Sequence, residues 1–313
     1  MLSNETVAAI DVGSNSIKLL VGRRGESQGR IETVFTETIE TRISAGISQE
    51  LPRLTDEAVT AGTATIAELF GLAQEFNPRE VQIVATSAVR DALNGRDFID
   101  TVKDATGLTI RILSGSEEAT TIGKGLACDP AIGETLRFIQ MDLGGGSLEL
   151  IRFNEGVIEN AISLQLGAVR LTERLIKDRD APIDDETDAA IRAYVRDELL
   201  KSGFPFEPST DPLIATGGAF SVTRAILAAA AGTTIDQFRA ELTQADISTL
   251  RLKLAKMPMH ERLSVPHLPA SRADIVPTAL ITIETLLQFA KRDRLTHSFY
   301  NLRYGLVAEM LEL

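Results

Sequence analysis

Tryptophan is absent from this chain, cysteine occurs once and histidine three times. A lone Cys128 can close no disulfide within the chain and support no cysteine-based metal site. His260, His267 and His297 lack the i, i+4 spacing of a helical zinc pair, and the HERL stretch is not HExxH. Neither a G-x-S-x-G elbow nor a GxxxxGK[ST] loop occurs, which argues against serine-based covalent catalysis and against a P-loop NTPase. No apolar run approaches the roughly 18–20 residues a membrane helix needs. The amino terminus, MLSNETVAAIDVG, has neither the basic region nor the long apolar stretch of a secretory signal, so a cytoplasmic protein is expected. Basic residues number 32 against 44 acidic ones, a net charge of −12, which argues against a broad nucleic-acid-binding surface. A concentrated polyanion site remains open, because backbone amides, a helix N-terminus, a divalent cation and a few arginines can hold phosphate inside an acidic protein.

What is present is an ordinary globular balance, 44% hydrophobic and 24% charged, over 313 residues. That length exceeds the roughly 250–300 residues at which single cores stop growing, so two domains are expected. The chain repeats itself. Strand patterns at 6–12 and 17–21 flank a Gly-Ser-Asn-Ser turn, and 30–43 alternates apolar with polar residues as a half-exposed strand does. A helix capped by Thr55, a strand at 81–85, a helix at 96–105, a strand at 109–113 and a helix at 117–126 follow. The second half restarts with a strand at 137–143, the turn Gly144-Gly145-Gly146-Ser147, and strands at 148–153 and 157–164. Helices at 168–176 and 185–200, a strand at 213–216 and a helix at 221–230 come next. Everything from Gln244 onward reads as mostly helical. Asp11-Val-Gly and Asp142-Leu-Gly thus stand at equivalent strand ends, 131 positions apart. Two copies of a β-β-β-α-β-α unit facing one another across a cleft are expected, with the boundary in the weakly patterned 128–135 stretch.

Several residues in these turns can carry chemistry. Around Asp11, the amides from Gly13 to Ser16 can form an anion-binding concavity, with the hydroxyls of Ser14 and Ser16 as further donors; a plain hairpin turn is the other reading. Three consecutive glycines weaken a hairpin, so the 144–146 run suits a backbone that must approach a ligand. Asp142 and Glu149 flank that run, and carboxylates beside a phosphate nest repel it unless a hard divalent cation lies between, which implies Mg²⁺. Arg90 can grip phosphate bidentately or pair with Asp91 or another acid. Ser114-x-x-Glu117 fits a capping box that occupies Glu117 and frees Glu118 as a proton acceptor, whereas Ser116 as the N-cap weakens that distinction and leaves Glu117 as the alternative base. Gly217-Gly218, between a strand and a helix, resembles a phosphate or nucleotide loop.

In order, the segments AIDVGSNSIKLLV (9–21), ATSAVRDA (85–92), SGSEEA (114–119), MDLGGGSLEL (141–150), LGAVRLTE (166–173), ATGGAF (215–220) and NLRYGL (301–306) resemble the exopolyphosphatase/guanosine pentaphosphate phosphohydrolase family, within the actin–hexokinase–Hsp70 superfamily. The resemblance implies an α/β fold of two ribonuclease-H-like domains of the actin-like ATPase type, with an inter-domain active-site cleft. Domain I would comprise 1–127 plus 299–313, and domain II 128–298. It implies Glu118 as general base and Asp142 and Glu149 at the metal. Asp11, Gly13, Ser14, Asn15, Ser16, Arg90, Gly144, Gly145, Gly146, Ser147, Gly217 and Gly218 would lie at the phosphates. The family's closing G-L-R-E-G-L departs here: Asn301 replaces the first Gly and Tyr304 the Glu, while Arg303 and Gly305 stay. The chain looks like the short form, without the added carboxy-terminal helical module, and a homodimer is expected.

The expected activity is exopolyphosphatase, with guanosine pentaphosphate 5′-phosphohydrolase as the alternative substrate reading. A kinase or a nucleotide-binding scaffold on the same fold are the rivals from other classes. Polyphosphate or guanosine pentaphosphate is the expected partner; nucleic acid and membrane are not.

Overall fold

A computed structural model describes residues 5–26, 30–45, 51–132, 135, 137–155, 157–207 and 210–313. The chain divides into two compact units, Met1–Leu136 with Tyr300–Leu313, and Arg137–Phe299. The first division therefore falls later than the 127/128 boundary read from sequence. The reason is local: the amides of Cys128 and Asp129 donate to the carbonyls of Gly125 and Leu126, and Ile132 to Asp129, so this stretch runs on from the preceding helix. Phe299 falls in the second unit.

The first unit contains β1 (Thr6–Val12), β2 (Ser16–Arg24), β3 (Ile31–Glu40), α1 (Asp56–Gln74), β4 (Val81–Ala85), α2 (Ser87–Asp91), α3 (Gly95–Thr106), β5 (Arg111–Ile112) and α4 (Gly115–Ala127). Its sheet runs β3-β2-β1-β4-β5, antiparallel among the first three strands and parallel from β1 to β5. The second unit contains β6 (Arg137–Leu143), β7 (Leu148–Asn154), β8 (Val157–Leu164), α5 (Ala168–Leu175), α6 (Asp185–Ser202), β9 (Leu213–Thr216), α7 (Gly218–Ala230), β10 (Glu241–Thr243), α8 (Gln244–Ala255), α9 (Met259–Arg262), α10 (Val276–Phe289) and β11 (Arg294–His297). Its sheet order is β10-β11-β9-β6-β7-β8. Setting aside β10, this is the order of the first sheet again: three antiparallel strands joined through the first to two parallel ones. Even the register shifts recur, at Val21/Gly22 in β2 and Arg152/Phe153 in β7. Both units are ribonuclease-H-like.

Near-continuous apolar runs buried on both faces set the central strands, a polar-apolar pattern marks the half-exposed β3, and each unit has its own core. Ile10, Ile17, Leu19, Ile66, Leu69 and Phe98 anchor the first; Met141, Leu150, Val195, Leu250, Leu280 and Leu287 anchor the second. Thr55 caps α1 as its type dictates, accepting from the Ala58 amide. The reading of the region after Gln244 as mostly helical misses β11. Its four residues, RLTH, are too short to show a period, and parallel pairing with β9 decides the strand. β5 also shrinks to two residues. No helix among the described residues is long and apolar enough to cross a membrane.

The last helix, α11 (Leu302–Met310), belongs to the first unit and packs on α4 and β1. The crossing is close enough to need glycine. A methyl added at Gly305 would lie 1.8 Å from the Thr121 carbonyl oxygen. Asn301, at the position where the family has glycine, caps α11 by accepting from the Arg303 amide. Tyr304, in place of the family's glutamate, instead shares a 2.9 Å hydrogen bond with Thr33 on β3. Arg303 donates to the Leu19 carbonyl and to Thr36.

In the second unit, α10 is buried from Val276 to Leu287, as a helix at the centre of a core must be. Glu284 lies within that stretch. Arg192 of α6 pairs with it, Arg251 of α8 approaches to 2.8 Å, and Ser248 donates to it. Burial alone would raise its pKa, but the hydrogen bonds from Arg192 and Ser248 and the two positive charges hold it below the usual carboxylate range. A folded-state value below the unfolded one contributes stability that is complete above the unfolded value and lost as pH falls through the folded one. Acid melting should therefore be steeper in the parent than in Glu284→Gln. Comparing melting temperatures of both proteins from pH 7 down to pH 3 checks this, and parallel curves would remove Glu284 as a source of acid sensitivity.

Candidate active site

The two equivalent hairpin turns are built alike. The Gly13 amide donates to the Ser16 carbonyl and the Gly144 amide to the Ser147 carbonyl, at 3.2 and 3.0 Å. These two amides are thus spent inside their own turns, which corrects the expectation that Gly13 adds to an anion concavity. The rungs that follow differ in charge. In the first unit Asp11 faces Lys18 across β1–β2, with Nζ 3.7 Å from Oδ2. In the second, Asp142 faces Glu149 across β6–β7. Directly opposed antiparallel residues share a sheet face, so the second hairpin doubles the negative charge that the first one offsets.

Asp11 and Asn15 each bring an acceptor oxygen to the first turn. Both are buried, and the Oδ1 atom of each has no hydrogen-bond partner among the described residues. An acceptor cannot bind a phosphate oxygen directly; it needs a water or a cation between them. Asn15 also donates through Nδ2 to Glu40. The Ser14 hydroxyl meets Ser87 at the start of α2, 3.1 Å away, and the Ser16 side chain is buried. The Ser14 hydroxyl thus links the turn to α2.

Ser87 lies one turn before Arg90 on α2, and Arg90 reaches the start of α4. Its Nη1 donates to the Leu113 carbonyl at 2.9 Å and to Glu118 Oε2 at 2.8 Å, while its Nε stands 3.6 Å from Asp91. Of the two sequence readings of Arg90, pairing with acids is the one seen. The capping box settles its own alternative. Ser114 is the N-cap, its hydroxyl accepts from the Glu117 amide, and Glu117 accepts from the Ser114 amide. Ser116 therefore does not cap. Glu117 is exposed, and the bonds from the backbone and side chain of Ser114 hold its carboxyl below the usual range. Glu118 is only 6% exposed and faces Arg90.

Around Asp142 the register lines up a polar row over four strands: Thr216, Asp142, Glu149 and Ser163. Thr216 donates to Asp142 Oδ2 and Ser163 to Glu149 Oε1, each at 2.7 Å. Because Thr216 gives its one proton to Asp142, Gln140 Nε2 must donate to Thr216, at 3.3 Å. Sequence reading missed Thr216, Ser163 and Gln140, since a hydroxyl in a strand is unremarkable until a neighbouring strand supplies its acid. Gly217 sits against Asp142, and Gly218 against the Arg272 guanidinium. Arg272 was also missed; nothing local in ASR marks it.

The glycine run itself is held from one side. Ala168 and Val169 donate to the carbonyls of Gly144 and Gly145, Arg170 donates its amide to Gly145, and its Nε bonds the Gly146 carbonyl at 2.9 Å. For a metal, the donor set is two opposed carboxylates, each oriented by a hydroxyl. That suits Mg²⁺, which takes one or two carboxylates and completes its shell with water and substrate oxygens. No group of three or more histidine, cysteine or acidic side chains able to hold a metal occurs among the described residues.

A family model described as the Ppx/GppA phosphatase family matches residues 20–313. The chain belongs to that family. The Ppx/GppA fold is seen in an exopolyphosphatase from Cytophaga hutchinsonii, 24% identical over 98% of both chains with a TM-score of 0.86. The Ppx-GppA enzyme of Aquifex aeolicus is 24% identical, covering 97% of this chain and 99% of its own, with a TM-score of 0.78. An exopolyphosphatase-like protein is 25% identical over 98% of this chain and 97% of its own, with a TM-score of 0.87. Phosphatase activity is what this family membership supports, without selecting a substrate.

Proposed function

We propose that this Ppx/GppA family member is an exopolyphosphatase that removes the terminal phosphate of inorganic polyphosphate. The observation that carries the reading is the division of labour at the start of α4: Glu117 is consumed by both arms of a capping box, and Glu118 is left buried against Arg90. Glu118 accepts a proton from water as its oxygen bonds the terminal phosphorus. The bridging P–O bond breaks, and its electron pair leaves with a chain one phosphate shorter. Amides of the glycine run hold phosphate oxygens, and Asp142 and Glu149 would hold Mg²⁺. Bound there, the ion would offset negative charge on the phosphate oxygens. Positioning and electrostatic stabilisation are the general means by which phosphoryl transfer is accelerated.

The deciding assay is phosphate release, with Mg²⁺, from polyphosphates of several lengths beside guanosine pentaphosphate and ATP. Release from polyphosphate that stops on chelation is expected. Release from guanosine pentaphosphate alone would transfer the proposal to that substrate. Phosphorylation of an acceptor, or ATP-dependent filaments with no phosphate released, would overturn it.

A further inference from the structure

The glycine run Gly144–Ser147 is flexible by composition, yet four hydrogen bonds from α5 fix it. We propose that the N-terminus of α5 is a clamp that orients this run for anion binding, and that Arg170 is its positioning residue. The inference rests on the phosphohydrolase reading above for the identity of the anion.

A helix begins with amides that lack intrahelical partners and usually receives a capping side chain. The N-cap of α5 is Gly167, which has no side chain to offer. The carbonyls of Gly144 and Gly145 take that place, accepting from Ala168, Val169 and Arg170 at 3.0, 2.9 and 3.1 Å. Arg170 then adds the third carbonyl of the run, binding Gly146 through Nε. Three consecutive carbonyls therefore turn toward α5. In a planar trans peptide the carbonyl of one residue and the amide of the next point in opposite directions. The amides of Gly145, Gly146 and Ser147 must then point away from α5, side by side. Successive amides directed the same way form a concavity that attracts anions.

Glycines alone would not hold this arrangement, because each peptide next to a glycine rotates at little steric cost. The clamp supplies the missing rigidity, and it depends on two residues. Gly167 permits the approach: a methyl there would lie 2.3 Å from the Gly145 carbonyl oxygen. Arg170 is 8% exposed and fixes the last peptide with a donor that lysine lacks, since Nε lies part-way along the side chain. Neither touches the anion in this scheme; both act through the loop.

The test uses full-length protein carrying Glu118→Gln, so that turnover is slowed about 10²-fold or more while substrate binds, with inorganic tripolyphosphate and Mg²⁺ as the probe in titration calorimetry. Adding Arg170→Met should weaken binding about ten-fold, the lower end of what removal of an orienting contact costs. Gly167→Ala should do the same by pushing the loop off α5. Thr172→Val removes a 2.8 Å bond from α5 to Thr278, away from the loop, and should lower the melting temperature without changing affinity. With Glu118 present, Arg170→Met should raise KM about ten-fold and change kcat far less, the pattern of lost binding and not of lost chemistry. Folded Arg170→Met and Gly167→Ala proteins that bind as the parent does would overturn the clamp. If Arg170→Met fails to fold, Gly167→Ala decides alone. A parent that binds no phosphate chain would sink the phosphohydrolase reading instead. The clamp would then be judged by a crystal structure of Arg170→Lys, where an unchanged direction of the Gly146 carbonyl would refute it.

Discussion

Glu118→Gln should fold, melt near the parent temperature, bind a phosphate chain undiminished and turn over about 10²-fold more slowly or worse, as loss of a general base does. Glutamine keeps the shape of the side chain and an oxygen to accept from Arg90, now 2.8 Å from Glu118 Oε2. It cannot take a proton from water. The adjacent residue provides the control. Glu117→Gln disturbs only the capping box at an exposed helix start and should cost a little thermal stability with turnover unchanged. Phosphate release and thermal melts on both variants read the two effects separately. Near-parental turnover in Glu118→Gln would remove that residue from the mechanism, and slow turnover in Glu117→Gln would reassign the base.

The second large effect concerns folding. Arg262→Leu should destabilise the second unit by about 3 kcal/mol or more, the order expected when several buried polar groups lose their donor together. Arg262 is 1% exposed, and its guanidinium serves four carbonyls: Nε that of Met257, Nη1 that of Ala273, and Nη2 those of Arg179 and Ala181. These bonds join α9, the turn before α10 and the segment between α5 and α6. Leucine fills part of the volume and satisfies none of the four. Denaturant unfolding of parent and variant measures the difference, and a loss under about 1 kcal/mol would mean that water replaces the guanidinium at little cost.

Much of this was legible because certain motifs are read locally. The spacing of Ser114 and Glu117 is a property of one helical turn, and the capping box formed as that spacing requires. The 131-residue repeat likewise gave Asp142 the place in its unit that Asp11 has in the first, because each follows an apolar strand run that ends in a glycine turn. Arg90 illustrates the limit. Its type admits a phosphate or a carboxylate equally well, and only the approach of α4 selected Glu118. The Ser14 hydroxyl shows the same limit: a turn sequence says nothing about which neighbouring element will pack against it.

The sequence by itself determined the internal repeat and the acids Asp142 and Glu149 that flank the glycine run, and it narrowed the N-cap before Glu117 and Glu118 to Ser114 or Ser116, since each depends on residues close along the chain or on a period of the chain. Tertiary structure alone decided the partners of those groups: Thr216 and Ser163 beside the acids, Arg90 beside Glu118, Arg170 against the glycine run. Hydrogen bonds that orient a side chain come from whichever strand or helix packs next to it. That choice is made by burial and register over the whole unit, which no short stretch of sequence encodes.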